Sequence, residues 1–279
     1  MSIGALGSWL QINTARLAES GINSARLDCL VLLEYVLREE RSSILAHPER
    51  KLEGHHLKEL NTMIMQRSRR TPLAYIVGSK EFYGHHFMVN ETVLIPRPES
   101  EAMLELLQKF ARKNKIQAVI DIGTGSGCLA ISAALALPDI HICATDVSKD
   151  ALKVARRNSL THDARVKFYL SDLLIDIPEV ELLKPYVLIA NLPYVPEGLV
   201  TSPEITKEPA MALFSGNDGL KHYRQFWHQI ENLKNKPLAV ITESLISQHS
   251  ALSHLAETTN YKLQTAQDLA QLFIKSSAL

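Results

Sequence analysis

Little in this 279-residue chain is available for cross-linking: its three cysteines, Cys29, Cys128 and Cys143, are scattered with no C-x-x-C pair. That spacing argues against a disulfide framework and a structural zinc site, and leaves the three as packing residues. Long apolar runs are missing as well. No stretch approaches bilayer-spanning length, and the N-terminus lacks a basic region followed by an apolar core. Neither export nor anchoring is indicated, and the cytoplasm is the expected compartment. Net charge is also absent, with 30 Lys and Arg against 30 Asp and Glu. This balance argues against broad attraction to a nucleic-acid backbone. The short basic clusters Arg67-Ser68-Arg69-Arg70 and Arg156-Arg157 read as solvated helix faces. The pairs His55-His56 and His85-His86 are expected to point apart with no acidic ligand cluster beside them, so no metal is expected.

What remains is a chain long enough for a sizeable core, divided into a small and a larger domain. Residues 1–72 show helical spacing, as in Leu6, Trp9 and Leu10, in Leu27, Leu30, Val31 and Tyr35, and in Leu57, Leu60 and Ile64. Residues 73–98 change to short β-prone runs punctuated by Gly and Pro, which predicts a β-hairpin linker. From 99 to the end, apolar runs alternate with helical segments. Strands are expected at 117–122, 140–145, 166–170, 186–190 and 238–243, and helices at 98–113, 127–137, 149–160, 219–235 and 246–257. Two short strands close the chain near 261–265 and 271–274. The expected fold class is α/β, a Rossmann-like, mostly parallel sheet with helices on both faces, carrying a small N-terminal helical domain. The long loop 191–218 leaves the carboxyl end of a strand, a usual place for function.

Two stretches carry chemistry. Ala118-Val119-Ile120 runs into Asp121-Ile122-Gly123-Thr124-Gly125-Ser126-Gly127, a strand, a tight glycine turn and then an Ala-rich helix. Glycines let a ligand lie against the backbone, and the helix N-terminus offers unpaired N–H groups. The D-x-G-x-G-x-G spacing departs from the dinucleotide G-x-G-x-x-G and favours S-adenosylmethionine. Asp146 ends the next strand, where a ribose-binding carboxylate belongs, and it also stands where a helix cap would.

The second stretch is Asn191-Leu192-Pro193-Tyr194, delivered by Tyr186-Val187-Leu188-Ile189-Ala190 to the same sheet edge. An amide, a backbone carbonyl and an aromatic face suit a planar NH2 substrate. The Asn191 oxygen and the Leu192 carbonyl can accept its two N–H bonds while Tyr194 packs on its plane. The same geometry accommodates a protein side-chain amide or the exocyclic amine of adenine in RNA or DNA. A non-catalytic cofactor- or ribosome-binding module is the remaining alternative.

The ordered set Arg70-Thr71-Pro72-Leu73-Ala74-Tyr75-Ile76-Val77-Gly78, Glu81-Phe82-Tyr83-Gly84, Ile95-Pro96-Arg97-Pro98-Glu99-Ser100-Glu101, Asp121 to Gly127 and Asn191 to Tyr194 resembles the HemK/PrmC family of release-factor glutamine methyltransferases. Glu208-Pro209, Gly216 and Asp218-Gly219-Leu220 fit that family too. The resemblance implies a class I methyltransferase that uses S-adenosylmethionine, with no metal, to methylate the glutamine side-chain amide in a release factor's Gly-Gly-Gln loop, affecting translation termination. It implies that Asp121, Gly123, Thr124, Gly125, Ser126, Gly127 and Asn191 serve the cofactor, with Asp146 on the ribose and Asp172 and Leu173 in the adenine pocket. Asn191, Leu192, Pro193 and Tyr194 would grip the glutamine, with Pro96, Arg97 and Pro98 in the groove wall. The helical domain would recognise the protein substrate. No stable nucleic-acid partner, membrane or oligomer is expected. Departures from the family pattern are Leu192 where Pro is usual, Leu245 in place of Gly, and Gln271 and Ile274 in place of Gly and Arg.

Overall fold

The computed structural model of the chain describes residues 5–199 and 202–276; residues 1–4 of the first expected domain, 200 and 201 of the long loop and 277–279 of the last domain lie outside them. The chain divides into two compact units, Met1–Gly78 with Ser202–Lys207, and Ser79–Thr201 with Glu208–Leu279.

The smaller unit is helical: α1 (Leu6–Glu19), α2 (Ala25–Leu37), α3 (Arg41–Ala46), α4 (Gly54–Ser68) and α5 (Leu73–Val77). Side chains three and four apart share a helix face, so Leu6, Trp9 and Leu17 of α1, Leu33 of α2, and Leu60 and Ile64 of α4 form one core. Leu27, grouped with that face by its spacing, is 49 % exposed; α2 instead turns Ala25, Cys29, Leu32 and Leu33 inward. The β-prone reading of 73–77 is corrected to a helical turn. Pro72 presets the chain at φ −53° before it, and Gly78 ends it in the left-handed region at φ +71°.

The reading of Arg67 as a solvated side chain is also corrected. It is 6 % exposed, and its Nε donates to Asp28 Oδ2 at 2.6 Å, joining α4 to α2. Its Nη1 donates to Glu204 Oε1 at 3.1 Å, and Arg70 Nη1 reaches the same oxygen at 3.0 Å. The segment Ser202–Lys207 of the long loop thus belongs to the helical unit through paired charges. His55 and His56 do not diverge: their rings lie 3.9 Å apart, and with Glu53 their ligand atoms gather within 4.8 Å. The cluster is largely solvent-facing and sits at the amino end of α4, where the helix dipole disfavours a cation.

The larger unit opens with a hairpin, β1 (Ser79–Phe82) and β2 (His85–Met88), in which Ser79 pairs with Met88 and Phe82 with His85. Tyr83 and Gly84 turn it with φ of +51° and +76°, as a two-residue hairpin turn requires. Next come α6 (Glu101–Lys113), β3 (Ala118–Ile122), α7 (Cys128–Ala136), β4 (His141–Asp146), α8 (Lys149–Thr161), β5 (Val166–Leu170) and β6 (Tyr186–Ala190). The unit ends with α9 (Lys221–Asn232), β7 (Ala239–Glu243), α10 (His249–Thr258), β8 (Tyr261–Gln267) and β9 (Ala270–Lys275). The seven-stranded sheet runs β5-β4-β3-β6-β7-β9-β8, with β3 to β7 parallel and β9 antiparallel to β7 and β8.

Strands β3, β6 and β7 are buried along their whole length, which explains why they read as unbroken apolar runs rather than alternating ones. Val119, Val187 and Ile241 face a layer containing Leu107, Ile131 and Leu152 from α6, α7 and α8. Ile120, Leu188 and Val240 face a layer containing Phe226, Trp227 and Leu252 from α9 and α10. From β3 the chain moves outward on one side through β4 and β5, then crosses to β6 and β7 on the other. The carboxyl ends of β3 and β6 therefore flank the switch point where open α/β sheets hold ligands.

Candidate active site

The register of the sheet assembles the site. Ile122 pairs with Thr145 on one side and Ala190 on the other, and Ala190 pairs with Thr242. The next residue of each strand or the loop after it, Asp146, Gly123, Asn191 and Glu243, therefore stands in a row along the carboxyl edge. Four residues spread over 120 positions become neighbours because parallel strands keep their ends level.

The glycine turn is held from beneath. Thr124 Oγ1 donates to Asp121 Oδ2 at 2.6 Å, and Thr124 N donates to Thr145 O at 2.8 Å. Gly127 caps α7 at φ +83°, and a Cβ there would press on Ile131 Cδ1 at 3.0 Å and Ala155 Cβ at 3.1 Å. Only glycine permits both that conformation and that approach of α7 to α8. Asp146 closes the turn on its other side: Oδ2 accepts from Gly125 N at 2.9 Å, and Oδ1 accepts from Ser148 N at 2.8 Å. The helix cap is Ser148, whose Oγ accepts from Ala151 N at 3.2 Å.

Burial raises the Asp146 carboxyl above its ordinary value against the pull of those N–H groups. The same cause pushes Asp121 up to about 7 from 3.8, opposed by the Thr124 hydroxyl. A carboxyl raised on folding contributes stability that is complete below its unfolded value and is lost as pH climbs through its folded one. Asp121→Asn is accordingly expected to flatten the stability profile between pH 4 and 7. Urea midpoints measured across that range should show wild type losing ground to the variant as pH rises; parallel profiles would contradict the assignment.

Above this row lies a cavity of about 430 Å³, within the range of small-molecule sites. Of the residues expected from sequence, Gly123, Gly125, Asp146, Asp172, Leu173, Asn191, Leu192 and Pro193 line it. Asp121, Thr124, Ser126 and Gly127 lie beneath the lining and shape the turn. Leu173 adopts φ +56° and presents an aliphatic wall, while Gln225 Nε2 donates to Asp172 Oδ2 at 3.1 Å. Leu192 is 2 % exposed, and its Cδ2 would lie 3.3 Å from a Cβ at Gly123, so its side chain abuts the glycine turn.

Pro96, Arg97 and Pro98 do not line the cavity, and neither does Tyr194, whose hydroxyl is held behind it by Glu243. The Arg97 guanidinium instead donates to Glu208, whose other oxygen accepts from Ile95 N at 3.1 Å. The wall also includes residues that no motif announced: Thr92, Val93 and Leu94 after the hairpin, Met211 of the long loop, and Lys221, His222 and Gln225 on α9. Those on α9 lie in a segment expected from sequence only as a helix at 219–235.

Asn191 is gripped from behind. Its Nδ2 donates to Ser100 Oγ at 3.0 Å and to Glu243 Oε1 at 3.2 Å, and Tyr194 OH donates to that same oxygen at 2.9 Å. Burial raises the Glu243 carboxyl, with the Ser100, Tyr194 and Asn191 donors opposing it. The Tyr223 hydroxyl sits between the ends of β6 and β7: it receives Leu192 N at 3.4 Å and lies 3.1 Å from Ala190 O and closer still to Glu243 O. Gln248 Nε2 donates to Tyr194 O and to Asp218 O, both at 2.8 Å. The short stretch from 191 to 194 is thus fixed at its side chains and along its backbone.

With this geometry in place, comparison with known proteins is informative. Residues 8–78 match the PrmC N-terminal domain family and residues 99–208 the methyltransferase small domain family. The release factor glutamine methyltransferase of Coxiella burnetii is 32 % identical over 249 residues, covering 88 % of this chain and 89 % of that protein. Those of Bacillus subtilis and Chlorobaculum tepidum are 36 % and 33 % identical, covering 81 % and 94 % of this chain and 80 % and 93 % of theirs. Among solved structures, the hMettl16 catalytic domain in complex with the MAT2A 3'UTR hairpin 6 aligns with a TM-score of 0.54 at 13 % identity, over 81 % of this chain and 83 % of that one. A methyltransferase from Pyrococcus furiosus aligns with a TM-score of 0.51 at 14 % identity, over 70 % and 91 %. The structural likenesses are of fold: this is the methyltransferase architecture of a mostly parallel seven-stranded sheet. By sequence, the chain belongs to the release factor glutamine methyltransferase family.

Proposed function

We propose that this protein transfers a methyl group from S-adenosylmethionine to the side-chain amide nitrogen of the glutamine in the Gly-Gly-Gln loop of a peptide chain release factor, the S–CH3 bond breaking to leave S-adenosylhomocysteine and the nitrogen giving up one proton to yield N5-methylglutamine. The observation that carries the reading is the placement of Asn191 beside the glycine turn at the sheet's switch point, with its NH2 group tied to Ser100 and Glu243. Its carbonyl oxygen is thereby turned away from that wall and is free to accept a substrate N–H.

The residues present suit the cofactor. The turn approaches the cavity through Gly123 and Gly125, and a Cβ on Gly125 would meet nothing within 4 Å, which leaves open space for a ligand against the backbone. Asp146 retains lone pairs beyond the two backbone N–H groups it accepts, enough for ribose hydroxyls. Asp172 and Leu173 offer an acceptor and an apolar wall to the adenine. When bound, the cofactor supplies an electrophilic methyl group.

The chain's own part is positioning. Asn191 Oδ1 and the Leu192 carbonyl accept both N–H bonds of the glutamine amide, which aims the nitrogen lone pair and stabilises positive charge as it develops there. Tyr194 supports the pair from behind, its hydroxyl donating to Glu243. Leu192 meets this need as Pro does, because the group used is its carbonyl. The helical unit serves to recognise the release-factor protein.

Asp146→Ala is expected to weaken S-adenosylmethionine binding by about 10–100-fold, the worth of losing hydrogen bonds to a charged acceptor. Calorimetric titration checks this, and an unchanged Kd would remove Asp146 from the site. The reading as a whole is tested by mass spectrometry of a release factor incubated with the protein and cofactor, with an adenine-containing RNA run in parallel. One added methyl on the Gly-Gly-Gln glutamine is the expected result. Methylated RNA beside an untouched release factor would replace the protein substrate with a nucleic acid.

A further inference from the structure

A carboxamide offers two opposite faces of nearly the same shape, and only one of them serves this site. If Asn191 presented its NH2 group to the cavity, it would repel an incoming N–H instead of accepting it. What lies behind the side chain decides between the two orientations. Behind it stands Glu243, the last residue of β7, 1 % exposed and placed beside Asn191 by the Ala190–Thr242 register. Glu243 Oε1 receives Asn191 Nδ2 at 3.2 Å and Tyr194 OH at 2.9 Å, while Oε2 is buried without a hydrogen-bond partner among the described residues.

Burying a carboxyl with one oxygen unpartnered is unfavourable, and a scaffold that only needed a polar link between β6 and β7 could use a glutamine or a serine there. Ionised, or protonated on the unpartnered Oε2, the carboxyl differs from both in presenting to Asn191 an oxygen, Oε1, that only accepts and that already receives Tyr194 OH. Whichever group of Asn191 faces it must be the NH2.

We propose that Glu243 is a positioning residue that fixes the orientation of the Asn191 carboxamide, forcing its oxygen toward the substrate. The value of this orientation for a two-proton donor rests on the methyl-transfer reading above; the orientation itself does not. Ser100 supports the arrangement through the same carboxyl: with its hydroxyl donating to Glu243, its oxygen accepts from Asn191 Nδ2, whereas a hydroxyl alone could serve either orientation. Glu243 also holds Tyr194, so a single acceptor sets both side chains that flank Leu192 and Pro193. A glutamine at position 243 could donate as readily as accept and would allow either orientation.

The first arm of the test needs no substrate. In the full chain, the Asn191 side-chain NH2 signals in an amide NMR spectrum are expected to be shifted by the carboxylate and slow to exchange. Glu243→Gln should move them and speed exchange while leaving the rest of the spectrum in place. Unmoved Asn191 signals in this variant overturn the proposal; if the variant fails to fold, ordinary shifts and rapid exchange in wild type overturn it instead.

The second arm is kinetic and is read on whichever substrate wild type methylates. Glu243→Gln is expected to lower kcat about tenfold, with the cofactor Kd within about twofold, as for loss of part of a preorganised site. Asn191→Asp sets two carboxylates against each other and should be nearly inactive. Adding Glu243→Gln to Asn191→Asp gives the new carboxylate a donor and should restore activity at least about tenfold over Asn191→Asp alone, a coupling that independent sites do not show. Strictly multiplicative losses would overturn the proposal. If wild type methylates neither a release factor nor RNA, the functional reading fails while the NMR arm still decides the orientation.

Discussion

Asn191→Ala is expected to lower kcat by about 10²–10³-fold, the usual cost of removing one preorganised hydrogen-bonding group from a transition state, while leaving the fold intact. The side chain spans from the cavity to Ser100 and Glu243, so truncation also leaves the Glu243 carboxyl without its Asn191 donor. Tyr194 continues to donate to Glu243, and the Tyr223 and Gln248 contacts to the backbone do not involve the Asn191 side chain. The loss should therefore fall on turnover far more than on stability. Single-turnover methyl transfer with saturating cofactor separates the two. A variant within tenfold of wild type would show that the reaction does not run through this amide.

Gly219→Ala is expected to destabilise the protein by about 4 kcal/mol, at the upper end for a single substitution. The residue sits at φ +75°, a conformation that disfavours any Cβ. A Cβ there would also stand 2.1 Å from Tyr194 O and 2.4 Å from Gln248 Nε2. The carbonyl is backbone and cannot swing aside as a side chain can, so relief requires moving the stretch that carries Asn191. Gln248 would lose its hold on Tyr194 O and Asp218 O, two part-buried hydrogen bonds. Equilibrium urea unfolding measures the effect. A change under 1 kcal/mol would mean that the stretch from 191 to 194 is softer than its hydrogen bonds imply, and the positioning argument would weaken with it.

The strands and glycine turn were legible because their signals are local: an apolar run bounded by glycine or proline needs only its own sequence. The strand at 166–170 has its expected limits, and the helix at 149–160 extends by one residue to Thr161. The segment 73–77 misled because Leu73, Tyr75, Ile76 and Val77 favour strands by composition, whereas the proline before and the glycine after them dictate a helical turn. Arg67 was illegible for another reason. Its partners Asp28 and Glu204 lie 39 and 137 residues away, and nothing near Arg67 distinguishes it from an exposed basic residue. Glu243 is the instructive case in the site. Its place at a strand end could be read, but its approach to Asn191 depends on which strands are neighbours and in what register, information carried by the whole sheet.

The helical unit is discontinuous in sequence, and this sets a timetable for its making. Arg67 and Arg70 emerge from the ribosome long before Glu204, the acceptor they share. At 5–20 residues per second, the 137 positions between Arg67 and Glu204 correspond to roughly 7–27 s of synthesis. During that interval the helices can pack on their own core and Arg67 can pair with Asp28, but the unit cannot be completed. The last contact of the first-made part waits for a loop made after the glycine turn and after Asn191, so the smaller unit is begun first and finished late.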